Sequence, residues 1–390
     1  MFNRDLYTPT FIRLIFSNLF FWMSVNYLVP VLPVHFHHQG YTTDTIGMIV
    51  GFFALGAVLF RIPSGRWVDR YGSVKVLGIG IFIAGLSLLL LLYSATLPTL
   101  LLARFIHGAS ITGFSAAALT INSVLHKPQY QNEAVGIFTL FIMIGNGIAF
   151  SSSLYLYLRF GFDFMVILSF IVALLTFILF PKNIKLTQTA KEVKKVPLTS
   201  VIKNPGVWIP SICQFGSNFA YGALFAFVPI LFESVQASGL SHYYMAYAIS
   251  VVLTRVLIGR ILNWVPSVRL LGFLLYGFGI TLAGMLLPPS PLSATLMGLF
   301  IGLTYGISFP ALIPIVASHT GLKERGVAFG VFTTSVDIGS AFGSILLGIL
   351  IQYLGFPPVF TLMALFLFAL GMTYQNFLQK KLEATPEAHQ

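Results

Sequence analysis

Residues 61–78 read Arg61-Ile62-Pro63-Ser64-Gly65-Arg66-Trp67-Val68-Asp69-Arg70-Tyr71-Gly72-Ser73-Val74-Lys75-Val76-Leu77-Gly78. Long apolar runs lie on both sides of this stretch, which holds four basic residues, one acid and three glycines. Charges cannot lie in hydrocarbon, so the core of the stretch is expected to be a tight turn at a membrane surface. The pattern returns 194 residues later, where Arg255 matches Arg61, Gly259 matches Gly65, Arg260 matches Arg66, and Ser267-Val268-Arg269 matches Ser73-Val74-Lys75. The chain therefore reads as two copies of one membrane unit.

Composition agrees. The sequence is 57% hydrophobic and 8% charged, with a mean hydropathy of +0.88. A soluble protein carries about 25% charge, so this chain cannot cover a water-facing surface and reads as an all-α integral membrane protein. No cleavable signal peptide is evident after Arg4, Asp5 and Arg13. The single cysteine, Cys213, excludes an intramolecular disulfide. The net charge of +11 raises nucleic acid as a partner, and the placement of the charges argues against it.

Twelve spans are expected, each long enough to cross roughly 30 Å of hydrocarbon. They cover residues 11–34, 44–63, 74–94, 97–124, 134–157, 163–181, 207–232, 242–262, 269–287, 293–317, 327–352 and 357–378. A polar linker, 182–205, carries six lysines and separates an N-terminal bundle, 1–181, from a C-terminal bundle and tail, 206–390. With both termini in the cytoplasm, 18 of the 22 Lys and Arg fall on the inner side, one (Arg159) falls outside, and Arg61, Arg104 and Arg255 fall within spans. This is the positive-inside pattern, and anionic inner-leaflet lipid accounts for the basic balance without nucleic acid.

The repeat continues past the turn. Residues 134–145 align with 328–339, and Gly108 pairs with Gly302, all at the offset of 194. Both copies start and end on one side, so the repeat is parallel. Transporters built this way place the substrate between the halves near the midplane.

Gly65, Arg66, Asp69, Arg70, Gly72 and Lys75 resemble the G-x-x-x-D-R-x-G-R-[RK] loop motif between spans two and three of the major facilitator superfamily. Ser73 and Val74 fill its last basic positions, with Lys75 one residue later. Arg104-Phe105-Ile106-His107-Gly108 resembles the superfamily's R-x-x-Q-G motif in span four, with His107 at the glutamine position. Among its branches, Arg61 before the loop motif and Arg-x-x-His-Gly are most similar to bacterial efflux permeases of the sugar-efflux and metallophore-exporter type. The resemblance implies alternating access by two six-helix bundles. It also implies a cytoplasmic latch in which Asp69 meets the N-terminus of span eleven near Val327 while Arg66 and Arg70 hold the halves together. One departure concerns direction. Exporters of the superfamily carry G-x(8)-G-x(3)-G-P-x-x-G-G in span five. Here Gly136 and Gly145 keep the spacing but Asn146-Gly147-Ile148-Ala149-Phe150 lacks the Gly-Pro, while Gly330, Gly339, Gly343 and Gly348 recur in span eleven.

Asp337 is the one acid placed deep in a span, about ten residues in, roughly 15 Å at helical rise. A carboxylate there is paired or protonated. It reads as a proton or cation carrier, or as a structural acid. Arg104 reads as an anion or proton-coupling site, or as a structural ion pair. His107, one turn on, titrates near neutral pH or is a satisfied core histidine. Arg61 and Arg255 read as gate or lipid-headgroup contacts. Asn26, Tyr27, Asn146, Gln214, Asn218, Tyr221 and Tyr305 are, with Arg104, the candidate substrate cavity. Their spans, one, five, seven and ten, line the cavity in the superfamily. His35, His37 and His38 cluster at the outer end of span one. No acid but Asp44 stands near them in sequence, so an interfacial cluster is a better reading than a metal site. No P-loop is present, and no nucleophile–base set points to an enzyme.

The expected function is proton-coupled export of a small organic solute from a plasma-membrane monomer, with protons and lipid as partners and no cofactor. An uptake carrier for a sugar or metabolite, and a non-transporting sensor or scaffold, are the alternatives.

Overall fold

The computed structural model describes residues 7–126, 130–181, 198–234, 239–288, 290–321 and 324–385. Among them the chain is almost entirely helical, without a strand. The helices are α1 (Pro9–Asn26), α2 (Leu28–His38), α3 (Thr43–Tyr71), α4 (Ser73–Leu92), α5 (Leu97–Leu125), α6 (Gln131–Leu179) and α7 (Leu198–Lys203). They continue with α8 (Pro205–Ser234), α9 (Leu240–Trp264), α10 (Ser267–Gly284), α11 (Pro291–Ser318), α12 (Arg325–Leu354) and α13 (Phe356–Thr373). A π-helical turn, Tyr374–Leu378, and α14 (Gln379–Glu383) follow. Of the expected linker, residues 182–197 lie outside the described residues, as do Arg4, Lys127 and Lys323.

Eleven helical stretches among the described residues are long and apolar enough to cross a membrane. The first joins α1 and α2 into one 30-residue span. It breaks at Tyr27 because Pro30 has no N–H to offer the Asn26 carbonyl one turn back. The stretch Glu133–Leu179 has 47 residues, roughly 70 Å at helical rise and twice the hydrocarbon thickness. It is two spans, because Gly161 takes φ 84° and reverses the chain. Hydrogen bonds from α1 show the reversal. Asn18 and Asn26 bond Phe138 and Asn146, so α1 and the first part of α6 run in parallel. Ser17 and Ser24 bond the carbonyls of Thr176 and Ser169, so the second part runs antiparallel. Twelve spans result.

The tight turn expected in the core of residues 61–78 is present but shorter than the gap between the expected spans, and it falls after Arg70. α3 continues through Arg61, Arg66, Asp69 and Arg70 to Tyr71, and the turn is Gly72 alone, at φ 89°. Charged side chains stop a span from lying in hydrocarbon, but not from remaining helical in the headgroup layer. The change of direction needs the positive φ that glycine adopts without Cβ strain. The repeat mate of Gly72 is Pro266, which turns the chain between α9 and α10 at φ −55°. Large aromatics lie at helix ends, as membrane interfaces favour: Trp264, Tyr353 and Tyr93 are each at least 80% exposed.

The chain divides into two compact units. Met1–His35 with Phe52–Lys191 forms the first, and Phe36–Gly51 with Glu192–Gln390 forms the second. In the first, α1 packs on α6 and α4 on α5; in the second, α8 packs on α12, α9 on α11 and α10 on α13. Residues 36–51 join the second through α12. Thr43 N donates to Gln352 Oε1 at 3.1 Å, Thr43 Oγ1 donates to the Gly348 carbonyl at 3.1 Å, and a Cβ at Gly47 would strike the Ser344 carbonyl.

The repeat is physical within each unit. A Cβ on Gly108 of α5 would collide with the Phe53 carbonyl of α3; one on Gly302 of α11 would collide with the Tyr247 carbonyl of α9. Both pairs are related by the offset of 194. Without a hydrophobic force between helices in lipid, small residues that let backbones touch hold such pairs together. At Gly108 and Gly302 the obstructing atoms are backbone, which cannot rotate away. Gly108→Ala and Gly302→Ala are each expected to destabilise by about 1–3 kcal/mol, as overpacking does. Gly65→Ala, where nothing lies within 4 Å of the added methyl, is expected to be neutral. Melting temperatures of the three purified variants check this, and equal losses would refute the close-contact reading.

Candidate functional site

In the first unit the close approach at Gly108 decides what surrounds Arg104. It brings Phe53 against α5, one turn from the arginine. The Arg104 guanidinium then lies over the Phe53 ring at 4.4 Å, and His107 meets the same ring edge-on at 5.3 Å. Arg104 and His107 are both buried, at 3% and 1% exposure. Arg104 Nη1 lies 3.3 Å from His107 Nδ1. A guanidinium only donates, so Nδ1 accepts and the ring proton sits on Nε2. Nε2 is buried and has no hydrogen-bond partner among the described residues. The pair thus presents a cation and an N–H donor in a low-dielectric setting, and a ligand that accepts hydrogen bonds suits both.

Two of the asparagines expected in the cavity, Asn26 and Asn146, are joined to each other. Asn26 Nδ2 donates both to the Trp22 carbonyl at 2.8 Å and to Asn146 Oδ1 at 2.9 Å, which joins α1 to α6 and uses both amide protons. Tyr27 is buried at the α1–α2 break.

In the second unit the candidates converge on tyrosines. Tyr221 of α8 stacks on Tyr305 of α11 with ring centres 3.9 Å apart, and its hydroxyl is 2.9 Å from that of Tyr247 on α9. Arg255 lies within electrostatic reach of Tyr247 and Tyr305, and Asp337 of α12 lies within reach of the same Tyr305. A half-buried carboxylate and a half-buried guanidinium, whose Nε has no hydrogen-bond partner among the described residues, thus both act on Tyr305 within a group of three phenols. Gln214 and Asn218 are buried on α8: Asn218 Nδ2 donates to the Gln214 carbonyl at 2.9 Å, and Gly339 of α12 packs against Asn218 Cβ. Tyr247 was missed in the sequence. Its signal is the repeat, since it is the mate of Phe53, as Tyr221 is of Tyr27.

Arg66, Asp69, Arg70 and Lys75 are exposed around the end of α3 and the start of α4, with Gly65 one turn back. Arg70 lies over the Tyr71 ring at 5.2 Å. The outer histidines separate. His35 stacks on Phe162 at 3.8 Å, with Nδ1 3.4 Å from the Tyr157 hydroxyl. His37 and His38 instead meet Glu233, at the end of α8, and not Asp44. Among the described residues no group of three His, Cys, Asp or Glu is arranged to hold a metal. An apolar groove of about 360 Å³ between α8, α12 and α13 is lined by residues such as Phe219, Leu350 and Phe366 and offers a polar solute no partner.

The Major Facilitator Superfamily profile matches residues 14–340 and, in a second match, 266–387. The staphylopine export protein of Staphylococcus aureus is 23% identical over 400 residues, covering 95% of this chain and 96% of that protein. Multidrug resistance protein 2 of Bacillus subtilis is 22% identical over 355 residues, covering 87% of this chain and 88% of that protein. An inward-facing, occupied bacterial homologue of the human lysosomal transporter Spinster has the same fold. Its TM-score is 0.75 at 16% identity, over 96% of this chain and 98% of the other.

Proposed function

We propose proton-coupled export of a small organic solute across the plasma membrane, on the premise that the chain belongs to the Major Facilitator Superfamily, whose members are transporters and not enzymes. Relatives that export staphylopine or confer multidrug resistance support the outward direction. The observation that carries the coupling is Asp337, a carboxylate within a span and within electrostatic reach of Tyr305, which Arg255 also reaches. A transporter without ATP couples to an ion gradient or runs downhill, and coupling needs a group whose charge changes as access alternates. Asp337 is that group, and Arg104 with His107 supplies the second charged site.

In this reading the bundles 1–181 and 206–390, joined by the linker 182–205, work as a monomer with both termini in the cytoplasm and alternate access by rocking. The candidate solute contacts are Asn26, Tyr27, Arg104 and Asn146 in the first bundle and, taken separately, Gln214, Asn218, Tyr221 and Tyr305 in the second. Purified protein in liposomes under an imposed pH gradient tests direction. Solute accumulation on the acidic side supports export by exchange with protons, and accumulation on the alkaline side establishes uptake. The second outcome is kept open by the span-five glycine pattern, which lacks the Gly-Pro of exporters.

The exposed charges at the end of α3 serve as the conformational latch. Helix N-termini favour a carboxylate by about 0.3–1 kcal/mol, so Asp69→Asn is expected to slow turnover by up to roughly fivefold while leaving solute affinity unchanged. Steady-state flux compared with equilibrium binding on the same variant checks this. Weakened affinity with normal turnover would remove the latch role.

A further inference from the structure

The outer histidine tract has a use that solute binding and coupling leave unexplained. Within α2 the chain passes from one compact unit to the other, between His35 and Phe36. His35 is held in the first unit by Phe162 and Tyr157. Two and three residues on, His37 Nδ1 lies 3.3 Å from Glu233 Oε2, and His38 Nε2 contacts Glu233 Oε1. His38 contacts one oxygen of the carboxylate, and His37 lies within ion-pair distance of the other, which accepts no hydrogen bond among the described residues. The three side chains are 35%, 46% and 29% exposed, so protons from the adjoining water reach them.

We propose that His37, His38 and Glu233 form a proton-operated clasp that ties the end of the first span to the end of α8. Histidine changes charge between pH 5 and 8. When the rings are protonated, both cations lie within ion-pair distance of the carboxylate, and a charge-assisted contact is roughly twice as strong as a neutral one. When the rings are neutral, that ionic attraction is gone. The sign follows: acid on this face strengthens the clasp, and alkali loosens it. For a protein that must move these spans, acidification slows the exchange between states. The histidines then regulate rate, and the coupling proton is carried elsewhere. The other titratable or charged groups near this end include His35 with its neighbour Tyr157, Arg159 and Asp163 around the Gly161 turn, Tyr41, Asp44 in the first turn of α3, His242, Tyr243 and Tyr244 in the first turns of α9, and Tyr353 near the end of α12. Their titration is common to wild type and variants and cancels in the comparison below.

Exposed ion pairs are worth little, so the effect is modest. The full-length protein in detergent is melted at pH 8 and pH 5.5 as wild type, Glu233→Gln, the double variant His37→Gln/His38→Gln, and all three changes together. The acid-induced rise in Tm of the wild type is expected to exceed that of Glu233→Gln by roughly 2 °C. The double variant should lose the same increment, and the triple variant should lose no more. A fixed-charge variant, His37→Lys/His38→Lys, should keep the stabilisation at both pH values. In liposomes, acid on this face should slow wild-type solute exchange by roughly two- to fivefold, and Glu233→Gln should abolish that slowing. An acid-induced Tm change identical in wild type and Glu233→Gln, or additive losses in the triple variant, would overturn the clasp. Neither result bears on whether the protein exports its solute, which the direction of flux decides separately.

Discussion

Asp337→Asn is expected to abolish uphill transport and leave downhill flux or exchange measurable. The amide has the size and hydrogen-bonding reach of the acid but keeps one charge state at every pH. With one proton exchanged per solute, a gradient of one pH unit supports roughly tenfold accumulation. For the variant the ratio should fall to about one. The helix does not itself require the acid, since the repeat mate of Asp337 is Met143. The neighbours make the carboxylate responsive. Arg255 and Asp337 both act on Tyr305, so a proton gained at Asp337 alters the balance of charge around one ring. Asp337→Glu, which restores the titration, should recover accumulation in part. If Asp337→Asn keeps full pH-driven accumulation in liposomes, the residue is structural, and coupling runs through His107 or through the solute itself.

The parts of this fold that were legible in the sequence are those that lipid dictates. Span number follows from hydrocarbon thickness, and the offset of 194 survives because Gly108 and Gly302 each let two backbones touch. The extension of the helix to Tyr71, past the expected span end at residue 63, has the same source. Polarity marks where hydrocarbon ends, and a helix can continue past that point until a Gly72 turns it. The site was legible as residue types and not as partnerships. Asp337, Arg104 and the tyrosines stand out because polar side chains in spans are costly. That Phe53 lies under Arg104, or that Asn26 is used up by Asn146, depends on helix pairing that no local pattern encodes. Glu233 is the clearest case. It stands nearly two hundred residues from the histidines it meets, while Asp44, six residues from His38, was the plausible partner on spacing alone.

Arg104→Ala should impair both uphill and downhill transport, and the behaviour of His107 should show why. Truncating one partner of a charge-assisted hydrogen bond costs about 1.5–3 kcal/mol, which is roughly tenfold to a hundredfold in solute affinity. The cation over Phe53 adds about 2 kcal/mol where it is desolvated, so part of the loss will appear as a lower Tm. Substitutions at His107 separate binding from packing. In the neutral ring Nδ1 accepts from Arg104 and Nε2–H is left as a buried donor. A glutamine reproduces that division, with its carbonyl toward the guanidinium and its amide N–H away. His107→Gln should therefore retain most solute affinity and transport, whereas His107→Leu, which fills the same space, should lose affinity about as Arg104→Ala does. The pH profile makes the comparison decisive. If His107 only orients Arg104, the glutamine variant keeps the wild-type dependence of flux on pH. If His107 carries the coupling proton, His107→Gln loses uphill transport as Asp337→Asn was expected to, and the roles assigned to the two residues must be exchanged.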